Sequence, residues 1–173
     1  MPQTMLAANE AAAGPQTDPR AGKYLTFQLA QEEFGIRVLK VREIMGLQDI
    51  TAVPQTPAHV KGVINLRGKV VPVIDLRLKF GLDAAAYTQR TCIIVTQVQG
   101  ESNSIMIGII VDGVSEVLNL AGTEIEDTPD FGDSSGSQYL LGMAKVKGKV
   151  KILLDIDRVL STQELHSLNS VFH

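Results

Sequence analysis

Phe34-Gly-Ile-Arg-Val-Leu-Lys-Val-Arg-Glu-Ile-Met-Gly-Leu47 decides the fold, because the chain says nearly the same thing again as Ile107-Gly-Ile-Ile-Val-Asp-Gly-Val-Ser-Glu-Val-Leu-Asn-Leu120. The shift between the two is constant at 73 positions, carrying Gly35 onto Gly108. Working outward, Gly62-Val-Ile-Asn-Leu-Arg-Gly-Lys-Val-Val-Pro-Val-Ile-Asp-Leu76 returns as Gly142-Met-Ala-Lys-Val-Lys-Gly-Lys-Val-Lys-Ile-Leu-Leu-Asp-Ile156, a shift of 80 that carries Gly62 onto Gly142. The matches fall on glycines, on alternating apolar positions and on one Asp, the positions that set backbone path and core. Two copies of one small β unit explain this better than one continuous sheet. What distinguishes the copies is then expected to carry the function.

Within each copy the spacing predicts hairpins. Leu25, Phe27 and Leu29 alternate as a half-buried strand requires, Gln31-Glu-Glu33 is read as the turn, and Phe34 to Val38 runs back. The second copy repeats this from Cys92 to Val98, around Gly100 to Asn103, and from Ile105 to Val111. Thr56-Pro57 reads as an N-cap with Pro at the first helical position, predicting one helical turn through Lys61 that Gly62 stops. Val63 to Arg67 alternates as a strand, Gly68-Lys69 is the two-residue turn, and Val70 to Ile74 closes the hairpin. Pro72 lacks a backbone donor, which predicts an edge strand or a bulge there. Ile152 stands in its place in the second copy, so that strand is free to pair on both sides. Asp75 and Asp155 are expected to cap short helices. Residues 1–22 lack the apolar content to offset their ordering entropy and are expected to form a disordered tail. The duplicated body then divides into halves of about 24–86 and 90–160, with strands free to exchange between them. Ser161-Thr-Gln-Glu164 is a capping-box pattern opening a C-terminal helix over 161–172.

Composition excludes several function classes. With 173 residues, 45% hydrophobic content and a net charge of −3, the chain is expected to be an ordinary globular protein. It has no basic block of the kind on which nucleic-acid affinity rests. Cys92 is the only cysteine, which leaves no internal disulfide and no thiolate zinc cluster, and it is read as a buried small hydrophobe. Met1 to Met5 lacks a signal-peptide pattern, and no apolar run approaches the roughly 18 residues of a membrane helix. A cytoplasmic protein without direct membrane insertion is the expectation.

No catalytic constellation emerges. His59, His166 and His173 have no Cys or carboxylate at ligand spacing, so neither a metal nor a cofactor is expected. Gly142 to Lys149 has the wrong spacing for a phosphate loop, with Val150 where Ser or Thr is required. Asp130-Phe131-Gly132 lacks the lysine and catalytic loop that would make it a kinase triplet. What remains are surface-type residues on β elements: Val41 and Ile44 for apolar contact, Glu43 and Arg67 for register, and Asn65 sharing a face with Arg67. Two readings stand side by side here. One is a protein-binding groove; the other is an intramolecular Glu43–Arg67 salt bridge that orients the units.

Phe34 to Ile44, Gly62-Val-Ile-Asn-Leu-Arg-Gly68, Val71-Pro-Val-Ile-Asp-Leu-Arg77 and Val111-Asp-Gly-Val-Ser-Glu-Val117 closely resemble the CheW family of bacterial chemotaxis coupling proteins. Four motifs in order at family-like spacing are specific, and the resemblance covers about residues 23–168. It implies an all-β fold with short helices: two pseudo-repeated, small Src-homology-3-like, five-stranded β barrels packed together. It implies a non-enzymatic adaptor between transmembrane chemoreceptors and the CheA-type histidine kinase, a monomer alone that joins membrane-associated arrays with its partners.

Residue by residue, the resemblance implies that Val41, Glu43 and Arg67 line the groove for the receptor's cytoplasmic hairpin tip, beside Ile44 and Asn65. It implies that Lys61, Gly62 and Val70 face the kinase regulatory domain and the array, and that Asp130 and Phe131 make a ring contact. Glu126 stands where some relatives carry a basic residue, a departure at that contact. A paralogous coupler for pilus motility or biofilm control is the alternative within the same class, and a small-molecule-binding enzyme is the remote rival.

Overall fold

The computed structural model describes residues 18–100, 103–128, 139–161, 163–165 and 167–168. In the first copy, β1 (Gly22–Leu29) and β2 (Glu32–Arg37) form a hairpin, and a 3-10 turn over Val38–Lys40 leads into β3 (Val41–Gly46). A second hairpin follows, β4 (Val60–Leu66) and β5 (Lys69–Asp75), and then α1 (Leu76–Lys79). The second copy repeats the order as β6 (Cys92–Gln99), β7 (Ser104–Val111), β8 (Gly113–Leu120), the two-residue β9 (Ile125–Glu126), β10 (Leu140–Val146), β11 (Lys149–Leu154) and α2 (Ile156–Val159).

The strands form a six-stranded sheet, β8-β1-β2-β11-β10-β9, and a five-stranded sheet, β3-β6-β7-β5-β4. Each sheet takes its first hairpin from one copy and its remaining strands from the other. The exchange is sealed by two parallel pairings, β2 with β11 and β5 with β7. The halves at 24–86 and 90–160 are thus repeats of sequence, while each physical unit contains both. The sixth strand arises because β9 pairs with β10, where the other unit has a lone bridge between Thr51 and Val63.

Strand periodicity sorts the apolar residues into three clusters. Ile93 and Val95 point into the five-stranded unit with Ile64, Leu66, Val71, Val73 and Ile110. Tyr24, Leu120, Ile125, Ala144 and Leu153 fill the six-stranded one. The opposite faces of the same strands meet between the units, where Phe27, Phe34, Ile36, Ile94, Ile107 and Ile109 pack with Leu76 and Ile156 of the two helices. Two Src-homology-3-like barrels sharing a large apolar interface is the architecture observed.

Local signals account for the helix starts. Asp75 Oδ1 accepts from the Arg77 and Leu78 amides at 2.9 and 3.4 Å, and Asp155 Oδ1 from the Asp157 amide at 3.1 Å. The Ser161–Glu164 capping box is formed: Glu164 N donates to Ser161 Oγ, and Ser161 N to Glu164 Oε1. Residues 163–165 and 167–168 beyond it are helical, and residues 169–172 of the expected helix lie outside the described residues.

Several expectations are corrected. Residues 57–61 hold turns rather than a helix, and Val60 already belongs to β4; Thr56 Oγ1 donates back to the Val53 carbonyl instead of capping. The β4–β5 turn is Arg67-Gly68, one residue earlier than expected, with both φ values left-handed at 50° and 86°, as a type I′ hairpin demands. The first turn is likewise earlier, at Ala30-Gln31. β5 is an inner strand, not an edge, and the bulge of this hairpin falls at Lys61 of β4, opposite Val73 and Ile74, not at Pro72 itself. Pro72 is tolerated because it faces Val63 and pairing with β7 starts only at Val73. Of the expected tail, residues 1–17 lie outside the described residues, whereas Arg20 donates to Asp18, Asp127 and the Leu141 carbonyl.

Two ion-pair clamps hold the crossover linkers. Asp112, just before β8, accepts from Arg77 Nη2 of α1 and from the Ala30 amide, both at 2.7 Å. Burial alone raises the Asp112 pKa, but these bonds outweigh it and hold the carboxyl below its ordinary value. At the equivalent place in the other copy, Asp157 of α2 accepts from Lys40 Nζ at 2.7 Å and from the Gln99 amide at 2.8 Å. The two clamps join the same three elements, with the charges reversed.

Candidate functional site

β3 is an edge strand, so one side of its backbone has no partner in the sheet. A bulge at Arg42 sets Val41 opposite Thr96 and Glu43 opposite Val95. That extra residue resets the alternation. Val41 and Ile44 consequently share the face of Thr96 and Ile94, beside the interface between the units, while Glu43 lies on the other face. Val41 packs partly on the interface cluster, and Ile44 remains 46% exposed.

β4 is the opposite edge of the same sheet. Its turn is held by Asn65, whose Oδ1 accepts the Gly68 amide at 2.8 Å. The left-handed backbone at Arg67 then sends its guanidinium across the seam to β3. Arg67 Nη2 lies 2.6 Å from Glu43 Oε1 and Nη1 lies 3.3 Å from Oε2, a two-pronged pair. Arg67's hydrogen bond holds the Glu43 carboxyl below its ordinary pKa, and the same bond raises the guanidinium. With the Arg67 side chain 73% exposed, the pair adds little stability. It leaves a carboxylate and a guanidinium in fixed register on the surface.

Of the sequence candidates, the structure joins Glu43 to Arg67 directly and sets Asn65 opposite Val70 in the β4–β5 register. The intramolecular salt bridge is therefore real. Val70 is 49% exposed and Lys61 is half-buried. Gly62 is buried, and a Cβ there would sit 2.0 Å from the Thr51 carbonyl oxygen. The missing Cβ lets Thr51 lie alongside β4 and bridge to Val63, so the position of Gly62 is structural before it is a contact. Asp130 and Phe131 lie outside the described residues. Glu126, the departure noted above, is paired with Lys145 at 3.1 Å.

Sequence reasoning missed Leu39, which is 71% exposed on the linker into β3. It also missed Lys151, buried on β11 and paired with Glu33 of β2. Leu39 had no signal of its own, since the apolar pair Val38-Leu39 between Arg37 and Lys40 reads equally well as part of a strand. Lys151 did: it replaces Val71 of the first copy. Among the described residues no three metal-ligating side chains come together. Cys92 is half-buried, and burial raises its thiol pKa.

Residues 23–164 match the family model of the CheW-like domain, and the chain belongs to that family. It is 40% identical over 149 residues to the chemotaxis protein CheW of Klebsiella aerogenes, covering 86% of this chain and 87% of that protein. With the chemotaxis protein CheW of Rhizobium meliloti it shares 36% identity over 140 residues, 81% and 88% of the two chains. The crystal structure of the scaffolding protein TtCheW from Thermoanaerobacter tengcongensis superposes with a TM-score of 0.74 at 32% identity, covering 83% of this chain and 97% of that one.

Proposed function

We propose that this chain is a non-enzymatic scaffold of chemotaxis signalling that couples chemoreceptors to a CheA-type histidine kinase. The family supplies the class, and the observation that carries the reading is the β3–β4 seam. There a two-pronged Glu43–Arg67 pair joins the two edge strands, with exposed Ile44 next to Glu43 on the other face of β3 and exposed Val70 opposite Asn65. An apolar anchor with charged groups in set register suits recognition of a helical surface. In this reading Val41, Glu43, Ile44, Asn65 and Arg67 receive the cytoplasmic hairpin tip of the receptor. Lys61, Val70 and the backbone fixed by Gly62 face the kinase regulatory domain, and Asp130 with Phe131 makes the ring contact. Recruitment to membrane-associated arrays follows from these contacts and not from insertion. Coupling works by rigid docking: the two receptor states bind with different free energies, and that difference biases the kinase. Co-sedimentation with receptor-containing membranes and kinase tests this. Retention with both supports it, and retention with neither overturns it.

A further inference from the structure

The Lys40–Asp157 pair joins residues 117 apart in sequence, and it closes on the residue immediately before the docking strand. Asp157 is on α2, at the far end of the second copy. Its carboxylate takes the Lys40 ammonium, with Oδ1 at 3.0 Å and Oδ2 at 2.7 Å, and Oδ1 also accepts the Gln99 amide at 2.8 Å. Gln99 ends β6, the strand on which β3 is laid. One carboxylate thus holds both the linker leading into Val41 and the strand that fixes the register of Val41, Glu43 and Ile44.

The internal repeat argues that this clamp has a purpose. In the other unit Asp112 gathers the Arg77 guanidinium and the Ala30 amide, and β8 starts at the next residue. Cation and carboxylate have changed places between helix and linker, yet the same three elements are tied. Two different residue pairs meeting one geometric need point to the entry of the third strand as what is being held. Reversing the polarity has a further consequence. Position 39, the equivalent of Asp112, is released from internal bonding, and Leu39 stands exposed on the surface.

We propose that Asp157 is a positioning residue for the docking edge: through Lys40 and Gln99 it sets the start and register of β3, and so the affinity for the receptor hairpin, without touching it. The affinity part rests on the docking reading above; the effect on β3 does not.

The test uses the full chain as wild type, as Asp157→Asn, and as the double variant Lys40→Asp with Asp157→Arg, which copies the polarity of the Arg77–Asp112 clamp. Amide hydrogen exchange over 41–46 is read beside affinity for a receptor cytoplasmic fragment and for the kinase regulatory domain. Asp157→Asn is expected to speed exchange in β3 and weaken the receptor fragment, each by about tenfold, leaving exchange in β10 unchanged. The double variant restores both. Unchanged β3 exchange in Asp157→Asn overturns the proposal, as does faster exchange with full receptor affinity or a double variant no better than the single. If wild type itself ignores the receptor fragment, the docking reading fails, and β3 exchange still decides whether Asp157 holds the strand.

Discussion

Arg67 Nη2 lies 2.6 Å from Glu43 Oε1 across the two edge strands of the five-stranded sheet, 24 residues apart in sequence. The pair joins β3 and β4, which share no backbone ladder. Because it is solvated, it adds little to holding the barrel closed; in the proposed function it presents two charges in fixed positions.

A double-mutant cycle separates those roles. Arg67→Ala and Glu43→Ala are each expected to weaken binding of a receptor fragment, with the double variant no worse than the weaker single, because each charge is set by the other. Thermal midpoints stay near wild type. Fully additive losses measured by titration calorimetry would mean that the two residues act separately.

Two glycines with left-handed φ make contrasting predictions. At Gly62 a Cβ collides with the Thr51 carbonyl, whereas at Gly68 it meets nothing within 4 Å. Gly68→Ala is expected to cost about 1 kcal/mol, from backbone conformation alone. Gly62→Ala should cost about 3 kcal/mol or more, since backbone must move as well. Urea unfolding of the two variants checks the order.

The buried Lys151–Glu33 pair has an apolar counterpart inside the same molecule, Val71 and Met106 of the other unit. Glu33→Ala strands a buried ammonium and is expected to cost about 3 kcal/mol. Glu33→Met with Lys151→Val, copying the other unit, is expected to be neutral or stabilising. A double variant clearly less stable than wild type in denaturant titration would contradict this.

His59 gives the pH dependence a sign. Its Nε2 lies 3.1 Å from Glu164 Oε2. Burial first, and the Lys79 ammonium second, push its pKa below 6.5 despite the pull of Glu164. As pH falls, the unfolded chain therefore takes up this proton before the folded one does. The stability due to neutral His59 is complete above the unfolded value and is lost as pH falls through the folded one. His59→Gln is expected to flatten the decline of the thermal midpoint between about pH 7 and about pH 5.5. Equal slopes in the two proteins would remove His59 from the account.

Much of this architecture was legible because short-range chemistry wrote it. The duplication, the capping aspartates, the Ser161–Glu164 box and the apolar alternation of β4 all follow from residues a few positions apart. The sequence left the strand exchange open: a hairpin has the same alternation whichever unit it joins. Lys151 gave no hint of its burial because β11 pairs on both sides, so a lysine there finds the Glu33 carboxylate rather than water. Thr56-Pro57 carried a helix-start signal that tertiary pairing overrode, since Val60 already pairs with Ile74 of β5 and Val63 bridges Thr51. In the candidate site, Glu43 and Arg67 were found by residue type, but the Arg42 bulge that separates Glu43 from Val41 and Ile44 leaves no mark in the sequence.

Sedimentation velocity of the wild-type chain with a receptor cytoplasmic fragment and a kinase regulatory domain measures the proposed coupling itself. A single faster-moving complex containing all three, formed only when this chain is present, is the predicted result. Mutually exclusive binding of the two partners, or binding of neither, would contradict it.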